Sequence, residues 1–368
     1  MPAKYEPVEL TQTPSARTEP SRATYAKIAA KAGVCKATVS LALRNSKQIS
    51  PETQQRIKKI ATDMGYRQNP LVSANMAQIR STKKQKKTLP TIGLLSTWLD
   101  EKKTEKRVEW DIQSRFREGA RGRAYDLGFD FDYLEFDLNF YSTERIQHVL
   151  TSRNIAGLVL APLRFSNSRL QLDWAKFAVC AIGFPDSFGS IPSVYYDNFR
   201  CMQNVLEHLT EKGYQRIGFI TDSENETRGG HLWNAGFLEY QDRLIPPENR
   251  VPILRIPKPE LLFEESDYEL MHAWYIMNKP DVIIGFRSKI LSHFRELGYQ
   301  VPEDFGYMVL NWSSASEGCS GYRQCHEEMA RAAVEIVSGR LYNNHLGETR
   351  KPGSTLLKGD IVEGNTLR

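Results

Sequence analysis

Thr24-Tyr25-Ala26-Lys27-Ile28-Ala29-Ala30-Lys31-Ala32-Gly33-Val34-Cys35-Lys36-Ala37-Thr38-Val39-Ser40-Leu41-Ala42-Leu43 is the stretch that decides how this chain is read. Ile28, Ala29 and Ala32 form an apolar stripe with helical spacing over residues 25–32. Gly33 can take a positive φ without strain and suits a turn. Val39, Ala42 and Leu43 then supply the inward face of a second short helix over 36–43. Two short helices about a Gly-centred turn form a helix-turn-helix, the geometry in which the second helix enters a DNA major groove. Cys35 stands where an N-cap Ser would be expected, and a thiol caps poorly, so a weak start to the second helix is expected.

Downstream, Ser50-Pro51-Glu52-Thr53 signals a third helix: an N-cap Ser, Pro at the first position and an acid in the first turn. Ile57, Ile60, Ala61 and Met64 give it a buried stripe, and Gly65 ends it. In the other direction, residues 1–21 are polar without apolar periodicity and read as a disordered tail. Past the head, Pro70 can open a short helix over 69–80, too short to hold alone in water. Lys83, Lys84, Lys86 and Lys87 make residues 81–90 a basic linker.

Charge divides the chain in the same place. The net charge is +5, but residues 1–90 hold 17 Lys and Arg against 5 Asp and Glu, while the remainder is acidic. A basic head on an acidic body points to an anionic polymer as the partner of the head. The sequence has no apolar run long enough to span a membrane and no secretory leader pattern. Five scattered cysteines argue for free thiols in a reducing cytoplasm rather than a disulfide framework.

From Thr91 the pattern changes to strand-length apolar runs alternating with helical stretches. Strands are expected over 91–95, 131–136, 157–161 and 179–183, then over 216–221, 251–256, 282–285 and 307–310. Helices are expected over 116–127, 144–151, 200–211, 232–243, 270–277, 291–297 and 325–341; the last has Met329, Ala332, Ala333, Ile336 and Val337 on one face. Strands alternating with helices argue for parallel sheets covered on both faces, and two such series for two doubly wound lobes with a cleft at the strand carboxyl ends. The expected architecture is a small all-α helix-turn-helix head (22–68) plus an α/β body (91–368).

Taken in order, the head, the Ser-Pro-Glu-Thr helix start, Gly65-Tyr66-Arg67-Gln68-Asn69-Pro70-Leu71 and the two-lobed body resemble the LacI/GalR repressor family. Ile191-Pro192-Ser193-Val194-Tyr195-Tyr196-Asp197-Asn198, Gly213-Tyr214-Gln215-Arg216-Ile217-Gly218-Phe219-Ile220 and Val301-Pro302-Glu303-Asp304 agree with it. The resemblance covers roughly residues 22–368 and implies lobes of the periplasmic-binding-protein type. It also implies a homodimer that binds a pseudo-palindromic double-stranded DNA operator through the head, and a small-molecule effector, often a sugar, between the lobes. It implies no cofactor and a cytoplasmic, nucleoid-associated location.

By the same resemblance, Lys36, Ala37 and Leu41 match base-contacting positions. Lys36 can donate to guanine O6 and N7, whereas Ala37 and Leu41 can offer only apolar contact, for instance to a thymine methyl. Thr24, Tyr25, Thr38, Ser40, Ser50 and Thr53 match phosphate-contacting positions, which set register without reading sequence. Arg44 and Lys47 add non-specific charge; Tyr66 and Asn69 belong to the same surface. Residues 69–79 resemble the family's minor-groove hinge helix, in which an apolar side chain wedges between base steps. Most relatives place Leu where this chain has Asn75, leaving Asn75 and its neighbour Met76 as alternative wedges.

In the body, Trp233 stands where many sugar-binding relatives carry a clamping Arg, Phe286-Arg287 where Asn-Asp is common, and Asn311 where an Asp follows a strand. Trp98, Phe165, Trp233 and Phe286 are therefore expected to line an aromatic cleft, with Arg287 and Asn311 as polar handles and few other clamps. Packing within the lobe cores is the competing role for these aromatics. Cys319, Cys325 and His326 lack metal-site spacing, and no nucleophile elbow, phosphate-cradling Gly loop or zinc-helix motif occurs. An enzyme is thus not expected; a soluble small-molecule binding protein without operator specificity is the alternative to a transcription regulator.

Overall fold

The computed structural model describes residues 24–43, 46, 48–64, 66, 89–97, 107–163, 170–184, 189–258 and 263–368, with backbone alone at 107–111. The expected tail (1–21), the hinge helix with Asn69, Asn75 and Met76, Arg44, Lys47, Gly65, Trp98, Phe165 and most of the 81–90 linker lie outside the described residues. The chain divides into two units, residues 1–77 and 78–368.

The head holds three helices, α1 (Tyr25–Ala32), α2 (Lys36–Leu43) and α3 (Pro51–Asp63). Thr24 caps α1, its hydroxyl accepting from the Lys27 N–H at 3.4 Å, and Gly33 ends it at φ 66°. Ile28, Val39, Ala42 and Ile57 meet in a core with no exposure. Each of the larger three adds ~2 kcal/mol by leaving water. Leu43, Ile60 and Met64 pack at its rim, half-buried. At the start of α2 the Cys35 thiol takes the place of a capping hydroxyl. Cys35 Sγ lies 3.2 Å from Thr38 Oγ1, and the Cys35 carbonyl accepts from the Val39 N–H at 3.2 Å.

The body is built on two six-stranded sheets. The first lobe runs β1 (Thr91–Ser96), α4 (Arg107–Asp126), β2 (Asp130–Glu135), α5 (Thr143–Ser152), β3 (Ile155–Leu160), β4 (Ala178–Ile182) and β5 (Ser193–Tyr196). The second runs α6 (Asn198–Glu211), β6 (Ile217–Asp222), α7 (Ser223–Arg228), α8 (Leu232–Leu244), β7 (Leu254–Ile256), α9 (Glu265–Asn278), β8 (Val282–Gly285), α10 (Lys289–Glu296), β9 (Gly306–Val309) and β10 (Ser320–Arg323). The chain then returns through α11 (His326–Tyr342) and β11 (Ser354–Leu357) to the first lobe, and ends with β12 (Asp360–Val362) in the second.

Sheet order is β11-β5-β4-β3-β1-β2 in the first lobe and β12-β10-β9-β8-β6-β7 in the second. The first is parallel throughout; the second carries an antiparallel edge, because β12 pairs Val362 with Gly321 of β10 in the opposite sense. Central strands such as β4 are buried along their whole length, as continuous apolar runs covered on both faces require. In each lobe the strand order reverses beside the first strand, between β1 and β3 and between β6 and β8. Ligand crevices of doubly wound sheets open at such points.

Several elements depart from the sequence expectations. Helix α4 begins at Arg107 and α9 at Glu265, nine and five residues early. The buried face of α11 includes Ala330 and Val334, whereas Ala332 and Ile336 are only half-buried, because α11 packs on α4 as well as on the sheet. Gly119 makes that helix pair close: a Cβ there would overlap the Glu327 carbonyl. The short strands β5, β10, β11 and β12 and the helix α7 carry too few apolar residues for a periodic signal.

Candidate functional site

On α2, Lys36 and Ala37 are exposed and Leu41 is half-buried, outside the head core. Val39 and Ala42 satisfy the core from the opposite side, which leaves Lys36, Ala37 and Leu41 an outward face. Ser50 caps α3, its Oγ accepting from the Thr53 N–H at 3.4 Å and donating to Thr53 Oγ1 at 2.9 Å. Gln54 Nε2 donates to the carbonyls of Ser46 and Ile49, both at 2.9 Å, and so ties the loop before α3 to that helix. Tyr25 and Tyr66 are less open than surface readers would be: both are half-buried against the head core, with ring centroids 5.5 Å apart. Burial and the Tyr25 hydroxyl push the Tyr66 phenol up to about 12. The Thr38 hydroxyl, Cys35's nearest partner, and the Thr38 N–H hold the Cys35 thiol below its usual range.

In the body, a cavity of about 940 Å³, part of it open to solvent, lies between the lobes at the strand carboxyl ends. Trp233, Phe286, Arg287 and Asn311 all line it. Trp233 and Phe286 are only 3 % and 4 % exposed and meet edge to face at 5.9 Å, so they serve the second lobe's core and the cleft wall together. Tyr307 donates its hydroxyl to the Arg287 carbonyl at 2.7 Å and fixes the backbone there. The first lobe contributes Gln113, Phe116, Phe184, Tyr195 and Tyr196. Ser96, at the end of β1, donates to Gln113 Oε1 at 3.2 Å.

The expectation of few polar clamps is corrected by α7. Asp222 caps this short helix, accepting from the N–H groups of Glu224 at 3.0 Å and Asn225 at 3.1 Å, and its last residue, Arg228, lines the cleft. Arg228 Nε pairs with Glu224 Oε1 at 2.9 Å. Asn198, at the crossing into α6, also lines the cleft and donates to the Gly229 carbonyl at 3.3 Å. Burial pushes the Asp222 carboxyl above its usual range, against the hydrogen bonds from Asn225 and Glu224 and the charge of Arg287.

His326, at the crossing into α11, lacks metal-site spacing in the sequence, yet it sits in the cleft wall. Its ring lies 5.1 Å from Phe116 and 5.9 Å from Tyr196, edge to face in both cases. Burial, aided by the Arg115 charge, pushes it down to about 3, so it is neutral at physiological pH. Of these unforeseen residues, Arg228 had a local signal in the Glu224–Arg228 spacing of four, which marks a helical ion pair. His326 had none.

Comparison with known proteins agrees with both halves. Residues 24–69 match the family model for bacterial regulatory proteins of the lacI family, and residues 206–367 match a periplasmic binding protein-like domain. The head carries the lacI-family regulatory domain. Relatives include the HTH-type transcriptional repressor CytR of Escherichia coli (strain K12), 23 % identical with 95 % of this chain and 98 % of that protein covered. Another is the HTH-type transcriptional repressor MelR of Bacillus subtilis (strain 168), 24 % identical over 90 % of this chain and 94 % of its own. In fold, the chain resembles a CelR–cellobiose complex at a TM-score of 0.57, with 19 % identity and 94 % of this chain and 100 % of the other covered. It also resembles a lac repressor dimer bound to operator and the anti-inducer ONPF, at 0.53 with 17 % identity, covering 94 % and 99 %. Among the described residues, no helix is long and apolar enough to cross a membrane.

Proposed function

We propose that this chain is a sequence-specific transcription regulator of the LacI family, a repressor of carbohydrate-related genes, working in the cytoplasm as a homodimer on a pseudo-palindromic operator. The observation that carries the reading is the pairing of two features in one chain: a helix-turn-helix whose second helix keeps Lys36, Ala37 and Leu41 off its core, and a body whose cleft gathers residues of both lobes. Lys36 reads a guanine edge, Ala37 and Leu41 make apolar base contacts, and Thr24, Tyr25, Thr38, Ser40, Ser50, Thr53 and Tyr66 hold the backbone. Asn69, Asn75 and Met76 act in the minor groove. Trp233, Phe286, Arg287 and Asn311, with Arg228 and Asn198, hold the effector. An effector changes operator affinity only by as much as its affinity differs between the DNA-competent and the released state. The cleft is a binding site and not a catalytic one in this reading, in keeping with relatives that are named as regulators.

Selection of bound duplexes from a random pool with the full chain tests the proposal. A palindromic consensus bound by a dimer is the expected result. Binding that is salt-sensitive but blind to sequence defeats it.

A further inference from the structure

Two of the five cysteines stand where the chain passes between the lobes. It does so three times: at Asp197 into α6, at Gln324 and Cys325 into α11, and at Lys358 and Gly359 into β12. The three crossings are bonded to one another. The Asp197 N–H donates to the Leu357 carbonyl at 3.1 Å, which ties the first to the third. Tyr322, just before the second, donates its hydroxyl to the Gly359 carbonyl at 2.9 Å and accepts from the Gly359 N–H at 2.9 Å. A Cβ at Gly359 would overlap the Arg323 carbonyl, so no side chain separates the second crossing from the third. Any rotation of one lobe against the other works through these contacts.

Cys201, in the first turn of α6, and Cys325, at the second crossing, both reach the third. Cys325 Sγ donates to the Lys358 carbonyl at 3.2 Å. Burial pushes the Cys201 thiol up, against hydrogen bonds from the Tyr322 hydroxyl and the Gly359 backbone. The Lys358 carbonyl and the Gly359 N–H belong to one peptide group, so the two sulfurs are packed on the same few atoms. Burial, then the Glu328 and Asp360 carboxylates, push the Cys325 thiol up against the charge of Arg323, and Cys201 adds to the rise. Burial first, and then Cys325 and Cys201, hold the Tyr196 phenol well above its usual range, which puts the pair directly behind the cleft wall. Cys201 is buried and Cys325 only partly so; a small reagent therefore meets Cys325 first. Both thiols are protonated at neutral pH, so the pair reacts slowly and answers only to a sustained oxidant.

We propose that Cys201 and Cys325 are a redox-sensitive lock on the hinge: oxidised to a disulfide by a peroxide, they join the first and second crossings beside the third and stop the lobes from turning. The Cys325 sulfur attacks the peroxide; an S–O bond forms as the O–O bond breaks, and a first water leaves. The side chains turn toward each other, and the Cys201 sulfur attacks the Cys325 sulfur. The S–S bond of ~2 Å forms, the S–O bond breaks and a second water leaves. Two thiols give up two electrons and two protons, and one hydrogen peroxide takes them. A thiol reductant reverses the lock by exchange.

Treatment of the full chain with hydrogen peroxide tests this, in a Cys35→Ser background that removes the exposed thiol of the head. Peptide mapping finds Cys201 joined to Cys325, and dithiothreitol releases them. Hydrogen exchange at the amides of residues 196–201 and 358–360 slows at least tenfold in the oxidised chain, and this slowing is lost in Cys325→Ser. Cys201→Ala loses it too; if that buried variant does not fold, the partly buried Cys325→Ser decides alone. Failure to cross-link overturns the proposal, as does a cross-link between other cysteines, oxidation of Cys325 alone to the sulfinic acid, or a Cys201–Cys325 bond that leaves exchange unchanged. No readout here involves DNA or an effector, so the operator reading of the chain stands or falls separately.

Discussion

The Phe184 ring, which follows β4 in the first lobe, lies against Gly230 in the turn between α7 and α8 of the second, so closely that a Cβ at residue 230 would overlap it. Gly230 has φ 60°, a conformation that costs other residues ~1–2 kcal/mol. The two lobes thus touch beside the cleft through an aromatic face and a position with no side chain. Gly230→Ala is expected to lower stability by ~1–3 kcal/mol in urea and to weaken any cleft ligand. Adding Phe184→Ala should return part of the loss, since the two changes share one contact. Full additivity in the double-mutant cycle would refute the contact.

His326 makes stability depend on pH. Its folded pKa of about 3 lies below the ordinary 6.5, so the unfolded chain binds the proton more readily. The stabilising contribution is complete above pH 6.5 and is lost as pH falls toward 3, at up to ~1.4 kcal/mol per pH unit. Denaturation of His326→Gln and the parent chain between pH 7.5 and 4.5 should show a shallower slope for the variant. Parallel slopes would mean that other groups carry the whole dependence.

Ser50→Ala removes the cap of α3. The expected cost is ~1 kcal/mol in the head. Hydrogen exchange at the amides of Thr53 and Gln54 should quicken about five-fold, with no change in the strands of the body. Unchanged exchange at Thr53 would show that the Ser50 hydroxyl does not hold this turn.

Lys36→Ala tests base reading apart from backbone attraction. Affinity for the selected operator should fall by ~1–3 kcal/mol, while binding to a scrambled duplex changes little and keeps most of its steep dependence on salt. Anisotropy titrations at two salt concentrations measure both. An equal loss on the two duplexes would make Lys36 a phosphate contact.

How much of this was legible in the sequence depends on the range of the interaction. Cleft residues on strand ends, such as Phe286 and Asn311, follow apolar runs that announce their strands, and the structure does bring them together. Arg228 lies on a six-residue polar helix with no apolar stripe, and only its spacing from Glu224 hints at order. His326 enters the wall because the chain crosses back to the first lobe immediately before it, an event that leaves no trace in its neighbours. Ala332 and Ile336 look equivalent to Ala330 and Val334 on a helical projection; α4 decides which pair is covered.

By itself the sequence determined the head almost to the residue: α1 and α2 have the expected bounds, and Ser50 and Gly33 stand at their expected caps. These features rest on contacts three or four residues apart, so a short window contains the whole cause. Only the tertiary structure decided the sheet orders, the antiparallel β12 and the membership of the cleft. Ser193 and Ser354, whose hydroxyls meet at 3.1 Å where β5 and β11 pair, are 161 positions apart. Nothing near either serine specifies the other, because a parallel pair is chosen by which faces the intervening helices leave open once the rest of the lobe has packed.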